Sequence, residues 1–573
     1  MVTNLEEKTQ KKILWHSSAH ILAMAVKRLY PDAKLTIGPA IENGFYYDID
    51  MQAVTDEIKQ KIQNEIDKII KENIKFVKEE ITIDKARQMF SDNAYKLEMI
   101  EELEKAGERQ VCIYKNNDFF DLCKGPHIKS TGVVGALKLT KISGVYWRAN
   151  SKNKMLQRIY GISFPDKKQL RQYFDKIEQA KKRDHRKIGR EMDLFSFHDE
   201  GAGFPFFHNN GMIIKNELIK FLRKEHNKMH YQEIQTPIIL DKKLWVQSGH
   251  WDHFRENMYF TKIDDVDCAI KPMNCPGGML VYREKVHSYR ELPLRIGEFG
   301  LVHRHELSGV LAGLFRVRCF TQDDAHIFME ENQIKQEIVG VIDLVDKIYK
   351  KFGFDWNVEL STKPENPFGS DEIWEISTNS LESVLKEKNI NYKINKGDGA
   401  FYGPKIDFHI KDCIGRNWQC GTIQLDFTMP EKFNLEYVGK DNAKHRPVML
   451  HRTIYGSLER FMGILIEHYA GKFPLWLAPI QVKIINVGLD SVKYANKIYK
   501  IFFDNNIRVE VDLRDESVGY KIRDAQNMKI PYIVVVGENE IKENTITIRT
   551  RDKKIQKNIK IDEFIENILN EIK

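Results

Sequence analysis

No apolar run in this 573-residue sequence reaches the roughly 18 positions that a membrane helix needs. The opening MVTNLEEKTQKK has charge but neither the apolar segment nor the small-residue cleavage site of an export signal. Cysteine is scarce: there are seven, an odd number, scattered without the spacing of a disulfide framework, which suits a reducing compartment. Repeats and low-complexity tracts are lacking too. These absences read as a cytoplasmic, ordered protein.

What is present is ordinary for a globular chain, 42% hydrophobic and 30% charged, and its length asks for three or four domains. The net charge of +7 permits contact with a polyanion, although a solvated lysine-rich surface gives the same excess. Basic residues gather at Lys181, Lys182, Arg183, Arg186, Lys187 and Arg190. Their spacing predicts a charged connector helix, opened by Pro165 and running to about Arg190, or a phosphate-facing surface.

A helical pattern (Ile13, Ile21, Leu22, Ala25, Leu29) is stopped by Pro31, and GPAIENGFYYDID predicts a hairpin with Asn43-Gly44 at its tip. Val54, Ile58, Ile62, Ile66, Ile70 and Ile74 form one stripe on a long charged helix. Between about Met192 and Pro474, helices such as 334–349 mix with short strands around 355–361, 405–411 and 418–427. That mixture predicts an antiparallel sheet rather than a doubly wound one. Beyond Pro479, strands at 481–487, 508–513, 533–536 and 545–549 alternate with helices at 492–503, 518–528 and from about 562. This predicts a small α/β domain with a mostly parallel sheet.

Joining a carboxylate to ATP needs cations around the phosphates and a flat surface for adenine. Arg304-His305-Glu306, a loop holding Arg316, and Phe320 make such a set. Farther along stands Gly456-Ser457-Leu458-Glu459-Arg460, and upstream Tyr231–Ile239 ends in Thr236-Pro237. Alone, an Arg-x-Glu in a strand is more often a cross-strand ion pair. In this order the segments resemble motifs 2, 3 and 1 of class II aminoacyl-tRNA synthetases, and FGLVHRHELSGVLAGLFRVRCFTQDDAHIF resembles the threonyl type.

The resemblance implies an α+β multidomain chain: an α+β editing domain (1–165), a linker helix (166–190), an antiparallel-sheet catalytic core (191–476) and an α/β anticodon-binding domain (477–573). It implies that Arg304 holds the α-phosphate, Glu306 the adenine amino group and Arg460 the far phosphates. Phe320 would stack on the ring, with magnesium accompanying ATP. Motif 1 implies a homodimer, and the family's second substrate is the threonine-specific tRNA.

Cys275, His326 and His451 are too far apart to read as a zinc motif from spacing, and each alone reads as a buried core residue. The resemblance places them at the family's three zinc positions, leaving one coordination site open for threonine's amino and hydroxyl groups. Asp324, Tyr402, Gln424 and Gln322 would line that pocket. Valine lacks the hydroxyl and is rejected by roughly 10⁴ or more, whereas serine lacks only a methyl, worth ~10- to 200-fold. A proofreading site is the expected remedy.

His16 and His20 at i and i+4, with Cys123 and His127, form the strongest local metal signature in the sequence, and spacing alone would allow zinc; Asp121 stands close by. The resemblance implies instead the editing site shared by threonyl and alanyl enzymes, hydrolysing seryl-tRNA without metal. There His20 and Cys123 would position or deprotonate water. Glu540 and Arg549 match anticodon-contact positions, although a surface ion pair on a hairpin would give the same pattern.

Two departures stand out. Few residues precede His16, where most bacterial members carry a small ubiquitin-like domain, so the resemblance implies a type lacking it. His305 and Leu307 replace an expected asparagine and proline. The rival readings are a non-catalytic synthetase-like RNA-binding protein, a metallohydrolase built on the N-terminal site, and a seryl or prolyl enzyme. The phosphate and metal residues argue against the first, the adenylation motifs and anticodon-type domain against the second, and the three zinc positions with the editing pair against the third.

Overall fold

The computed structural model describes residues 2–572, with side chains from residue 9 onward. The chain divides between Glu178 and Gln179 into two compact units.

In the N-terminal unit the helix Val2–Leu29 ends before Pro31 and packs on a sheet ordered Lys34–Leu35, Gly44–Asp50, Met155–Phe164, Ala136–Tyr146. The hairpin is present, but its tip is Glu42-Asn43, because Ile41 pairs with Gly44 and that glycine (φ +120°) already opens the return strand. The striped helix spans Asp56–Glu72, so Val54 and Ile74 lie outside it. Thr55 caps it by accepting the Ile58 N–H, and Asn73 ends it in the left-handed conformation. Ile62, Ile66 and Ile69 are fully buried. A strict step of four drifts off a face that repeats every 3.6 residues, so Ile69 joins the core and Ile70 only borders it. A second sheet (Val77–Thr82, Gln110–Asn116, Phe119–Leu122) shares a small core with helices Ile83–Met89 and Ala94–Lys105.

The expected single connector helix is two, Lys167–Lys182 and His185–Glu191. Asp184 causes the break: its carboxylate accepts the Arg186 N–H and starts the second helix.

The second unit is built on an eight-stranded sheet. Its order is Gln232–Glu233, Leu294–His303, Cys319–Met329, Val448–Thr453, Asn417–Asp426, Lys405–Lys411, Asp355–Ser361, Tyr392–Asn395. The inner pairs are antiparallel and only the two edge pairs are parallel, in line with the sequence pattern. Ile338, Ile342, Val345 and Ile348 of helix Ile334–Lys351, with helices Asn209–Lys228 and Leu458–Tyr469, cover one face in a single large core. On the other face Ile296, Phe328 and Met449 pack in a smaller core with the helix Cys275–Arg283. Residues 482–572 form a mixed sheet, not a mostly parallel one: Val482–Asn486 pairs parallel with Val509–Asp512 and Tyr532–Val536, then Thr545–Thr550 and Ile555–Lys560 add antiparallel. The last strand and the helix Glu538–Glu543 have weak patterns and were not expected.

Candidate active site

Strand side chains alternate between faces, so Gln322, Asp324 and His326 on Cys319–Met329 point the same way. His326 is directly opposite His451, which is opposite Gln424, forming a row across three strands. Cys275 opens the helix Cys275–Arg283, and its sulfur and one nitrogen from each histidine lie within 4.8 Å of one another, all three residues buried. Burial, with His451 and Arg452 nearby, holds His326 far below its usual pKa, so it is the neutral, ligating form. Burial, with Asp324 and Asp426, raises the Cys275 thiol, which a bound cation would reverse. His451 Nε2 donates to Asp426 Oδ2 at 2.9 Å, the carboxylate pairing that orients metal-ligating imidazoles and leaves Nδ1 for the metal. The donor set fits zinc: one thiolate and two imidazoles, three ligands with room for a fourth.

These residues line a cavity of about 240 Å³ with Asp324, Tyr402, Gln424 and Gln322. Asn274 Nδ2 donates to Asp324 Oδ2 at 2.7 Å, and the Tyr402 hydroxyl donates to Gln424 Oε1 at 2.6 Å. Burial raises the Asp324 pKa, opposed by Asn274 and Arg304. Gly300 makes room for this arrangement, since a Cβ there would lie 2.1 Å from Asn274 Oδ1.

Arg304, Gln322, Gln419, Thr422 and Thr453 also line a second cavity, about 260 Å³, with Glu306, Arg316, Phe320, Ser457 and Arg460. The two cavities share a wall, and Arg304 stands in it. Arg304 is held by Pro272 O (3.1 Å) between the rings of Phe254 and Phe320, at 5.4 and 5.2 Å. Arg316 Nε donates to Glu306 Oε2 at 2.8 Å, and Arg460 Nε to Phe315 O at 2.9 Å. Ser457 caps the helix carrying Arg460. All the expected nucleotide residues therefore meet in one place. His305 and Leu307 are exposed and line neither cavity.

In the N-terminal unit, ligand atoms of His16, His20, Cys123 and His127 also lie within 4.8 Å of one another. Ser17 Oγ donates to Ile13 O, so it accepts from His127 Nδ1 at 2.9 Å. This fixes the His127 tautomer and turns its bare Nε2 toward Cys123 Sγ, 3.3 Å away. His16 Nε2 is also 3.3 Å from that sulfur, and His20 Nδ1 is buried without a partner. Burial, with His20 and His16 nearby, pushes His127 down to about 2; burial also holds His16 and His20 low. Burial pushes the Cys123 thiol up to about 11. At neutral pH the cluster is a thiol among neutral imidazoles.

Asp121 does not touch the cluster through a side-chain hydrogen bond; it is buried behind it, bound to Lys96 Nζ at 2.5 Å and to the Tyr47 hydroxyl. Lys96, Asn274 and Asp426 are residues that sequence reading missed. Only Asn274 left a signal, its place beside Cys275. Glu540 and Arg549 form no ion pair with each other among the described residues. Glu540 accepts from Gly537 N (2.9 Å) and Thr547 Oγ1 (2.7 Å), while Arg549 Nε is buried without a partner.

Three families match the chain: the class II tRNA synthetase core domain (G, H, P, S and T) over residues 259–469, the anticodon binding domain over 481–571, and the threonyl and alanyl tRNA synthetase second additional domain over 111–160. The chain is 58% identical over 575 residues to a threonine–tRNA ligase of Clostridium botulinum, covering all of this chain and 90% of the relative. It is 57% identical over 571 residues to that of Carboxydothermus hydrogenoformans, covering 99% of this chain and 90% of the relative. Among solved structures it is similar to the RNA-binding domain of threonyl-tRNA synthetase from Cryptosporidium parvum. That match has a TM-score of 0.65 and 38% identity, covering 68% of this chain and 98% of that one.

Proposed function

The chain belongs to the threonine–tRNA ligases, enzymes of the class II aminoacyl-tRNA synthetases, and from that premise we propose which of its residues perform the reaction. Arg304 holds the α-phosphate at the wall shared by the two cavities, and Arg316 and Arg460 hold the outer phosphates. Glu306 accepts from the adenine amino group and Phe320 stacks on the ring. Magnesium accompanies ATP and neutralises phosphate charge. Threonine's carboxylate then displaces pyrophosphate in line, a reaction that needs positioning and charge stabilisation more than proton transfer.

Cys275, His326 and His451 hold zinc. When bound there, zinc would supply Lewis-acid coordination for threonine's amino and hydroxyl groups. Asp324, anchored by Asn274, orients the hydroxyl, while Gln322, Tyr402 and Gln424 close the pocket. The observation that carries this reading is the row His326–His451 with Cys275 above it, inside the cavity that Arg304 joins to the nucleotide pocket. The test is amino-acid-dependent ATP–pyrophosphate exchange before and after chelation. Threonine supports exchange, serine less so and valine not at all, and chelation abolishes it. Valine exchange approaching that of threonine overturns the zinc selection.

His16, His20, Cys123 and His127 hydrolyse seryl-tRNA without metal. Burial holds Cys123 as a thiol and the imidazoles as weakly basic neutral rings, so the cluster acts by positioning the attacking water. Metal analysis distinguishes the alternatives: one zinc per chain is expected, and a second zinc required for deacylation overturns the metal-free reading. Arg549 and Glu540 contact anticodon bases, a role supported by their place within the segment matched to the anticodon binding domain. The exposed Ile238, Ile239, Phe260, Ile263 and Val266, on and beside the small sheet that follows Tyr231, support a homodimer. Division at residues 165, 190 and 476 is part of the same reading, as is a cytoplasmic location. Among the described residues, no helix is long and apolar enough to cross a membrane.

A further inference from the structure

We propose that His185, which starts the helix after the connector, is a positioning residue for the ATP-site loop at 312–316. The oxygen and nitrogen atoms of Asp184, His185 and Glu467 lie within 4.8 Å of one another, close enough to suggest a metal site. The hydrogen bonds exclude it. A backbone N–H can only donate, and Leu314 N lies 3.0 Å from His185 Nε2. Nε2 is therefore the acceptor and Nδ1 carries the proton, given to Glu467 Oε1 at 2.7 Å. The His185 backbone N–H adds a second bond to the same oxygen at 3.1 Å. The other Glu467 oxygen accepts from Arg416, whose Nε binds Asp412 Oδ2 at 2.7 Å. No lone pair remains on the imidazole, so its work is to bridge.

What it bridges is specific. His185, Glu467 and Leu314 are all buried. Gly313 (φ +54°) lies so close that a Cβ there would be 2.2 Å from His185 Nε2. The Phe315 ring is 4.2 Å from the His185 ring and 4.3 Å from that of Trp418. The Phe315 carbonyl, one residue from the Leu314 N–H, accepts from Arg460 Nε, and the next residue is Arg316, held on Glu306. The imidazole thus fixes the stretch of backbone that aims one phosphate-binding arginine and carries the other. Without an acceptor, the buried Leu314 N–H is orphaned and the loop shifts to satisfy it.

The proposal rests on the reading that Arg460 and Arg316 bind ATP, so Arg460→Ala is measured alongside. His185→Phe keeps a ring in the stack and loses the acceptor; His185→Gln keeps an acceptor for Leu314. In threonine-dependent pyrophosphate exchange, His185→Phe raises KM for ATP about tenfold and leaves KM for threonine within about twofold, with Tm followed in parallel. His185→Gln stays within about threefold of the parent for both substrates. An unchanged KM for ATP in His185→Phe, in an enzyme that Arg460→Ala cripples toward ATP, overturns the proposal. So does an equal rise of both KM values in both His185 variants with a fallen Tm, which marks a folding role only. An unchanged KM for ATP in Arg460→Ala removes the reading beneath the proposal, and the proposal with it.

Discussion

Replacing Asp426 with asparagine tests the zinc site through a residue that would not touch the metal. Asp426 is fully buried. Its Oδ1 accepts three bonds, from Thr428 N (2.8 Å), Met429 N (2.9 Å) and Thr428 Oγ1 (3.0 Å), and its Oδ2 accepts from His451 Nε2. An asparagine amide must put its oxygen where the three donors converge, which turns its NH₂ toward His451 Nε2. That nitrogen then has to accept, so the imidazole proton moves to Nδ1, the position left for zinc. Loss of such a carboxylate partner costs roughly 10- to 100-fold in metal affinity, about 1.4–2.7 kcal/mol. Zinc affinity is read by chelator competition, with thermal melting to confirm that the fold survives. Wild-type zinc affinity in a folded Asp426→Asn protein would refute the placement of the ligands. A loss of threonine activation without loss of zinc would point to a different role for Asp426.

Lys96→Met leaves the Asp121 carboxylate buried without its cation, a change that costs about 3–5 kcal/mol in comparable pairs. Calorimetry is expected to show the transition of the N-terminal unit falling, with deacylation of seryl-tRNA lost and threonine activation intact. The imidazoles of His16, His20 and His127 are held below their usual pKa, so the unfolded chain binds more protons than the folded one below about pH 6.5. The stability of that unit is then full above about pH 6.5 and falls as the pH drops toward 5; a melting temperature flat over that range contradicts the neutral cluster. Arg549→Ala weakens charging of tRNA and leaves pyrophosphate exchange unchanged, whereas equal loss of both indicates misfolding.

Local patterns carried much of the fold. The antiparallel arrangement of 355–361, 405–411 and 418–427 follows from their alternation and glycine turns, and each pairs as that pattern implies. Failures came where a local rule met a competing one. Asp184 could cap a new helix inside a run of basic residues that otherwise reads as continuous. The strand Ile555–Lys560 is almost wholly exposed and carries little apolar signal. The nucleotide residues were legible only through their resemblance to the family's motifs, because Arg304-x-Glu306 taken alone reads as a cross-strand ion pair. Lys96 and Asp426 were not, because each reaches its site through tertiary packing and has no informative spacing. Spacing likewise left Cys275, His326 and His451 as three separate core residues; only the register of two strands and the start of one helix bring them together.

Zinc content and threonine activation measured together on the parent protein and on Cys275→Ser test the account most directly. The account predicts one tightly held zinc per parent chain in the catalytic unit, and a Cys275→Ser protein that loses that zinc and threonine-dependent exchange together while remaining folded. A metal-free Cys275→Ser protein that activates threonine at the parent rate, and still rejects valine, would contradict it.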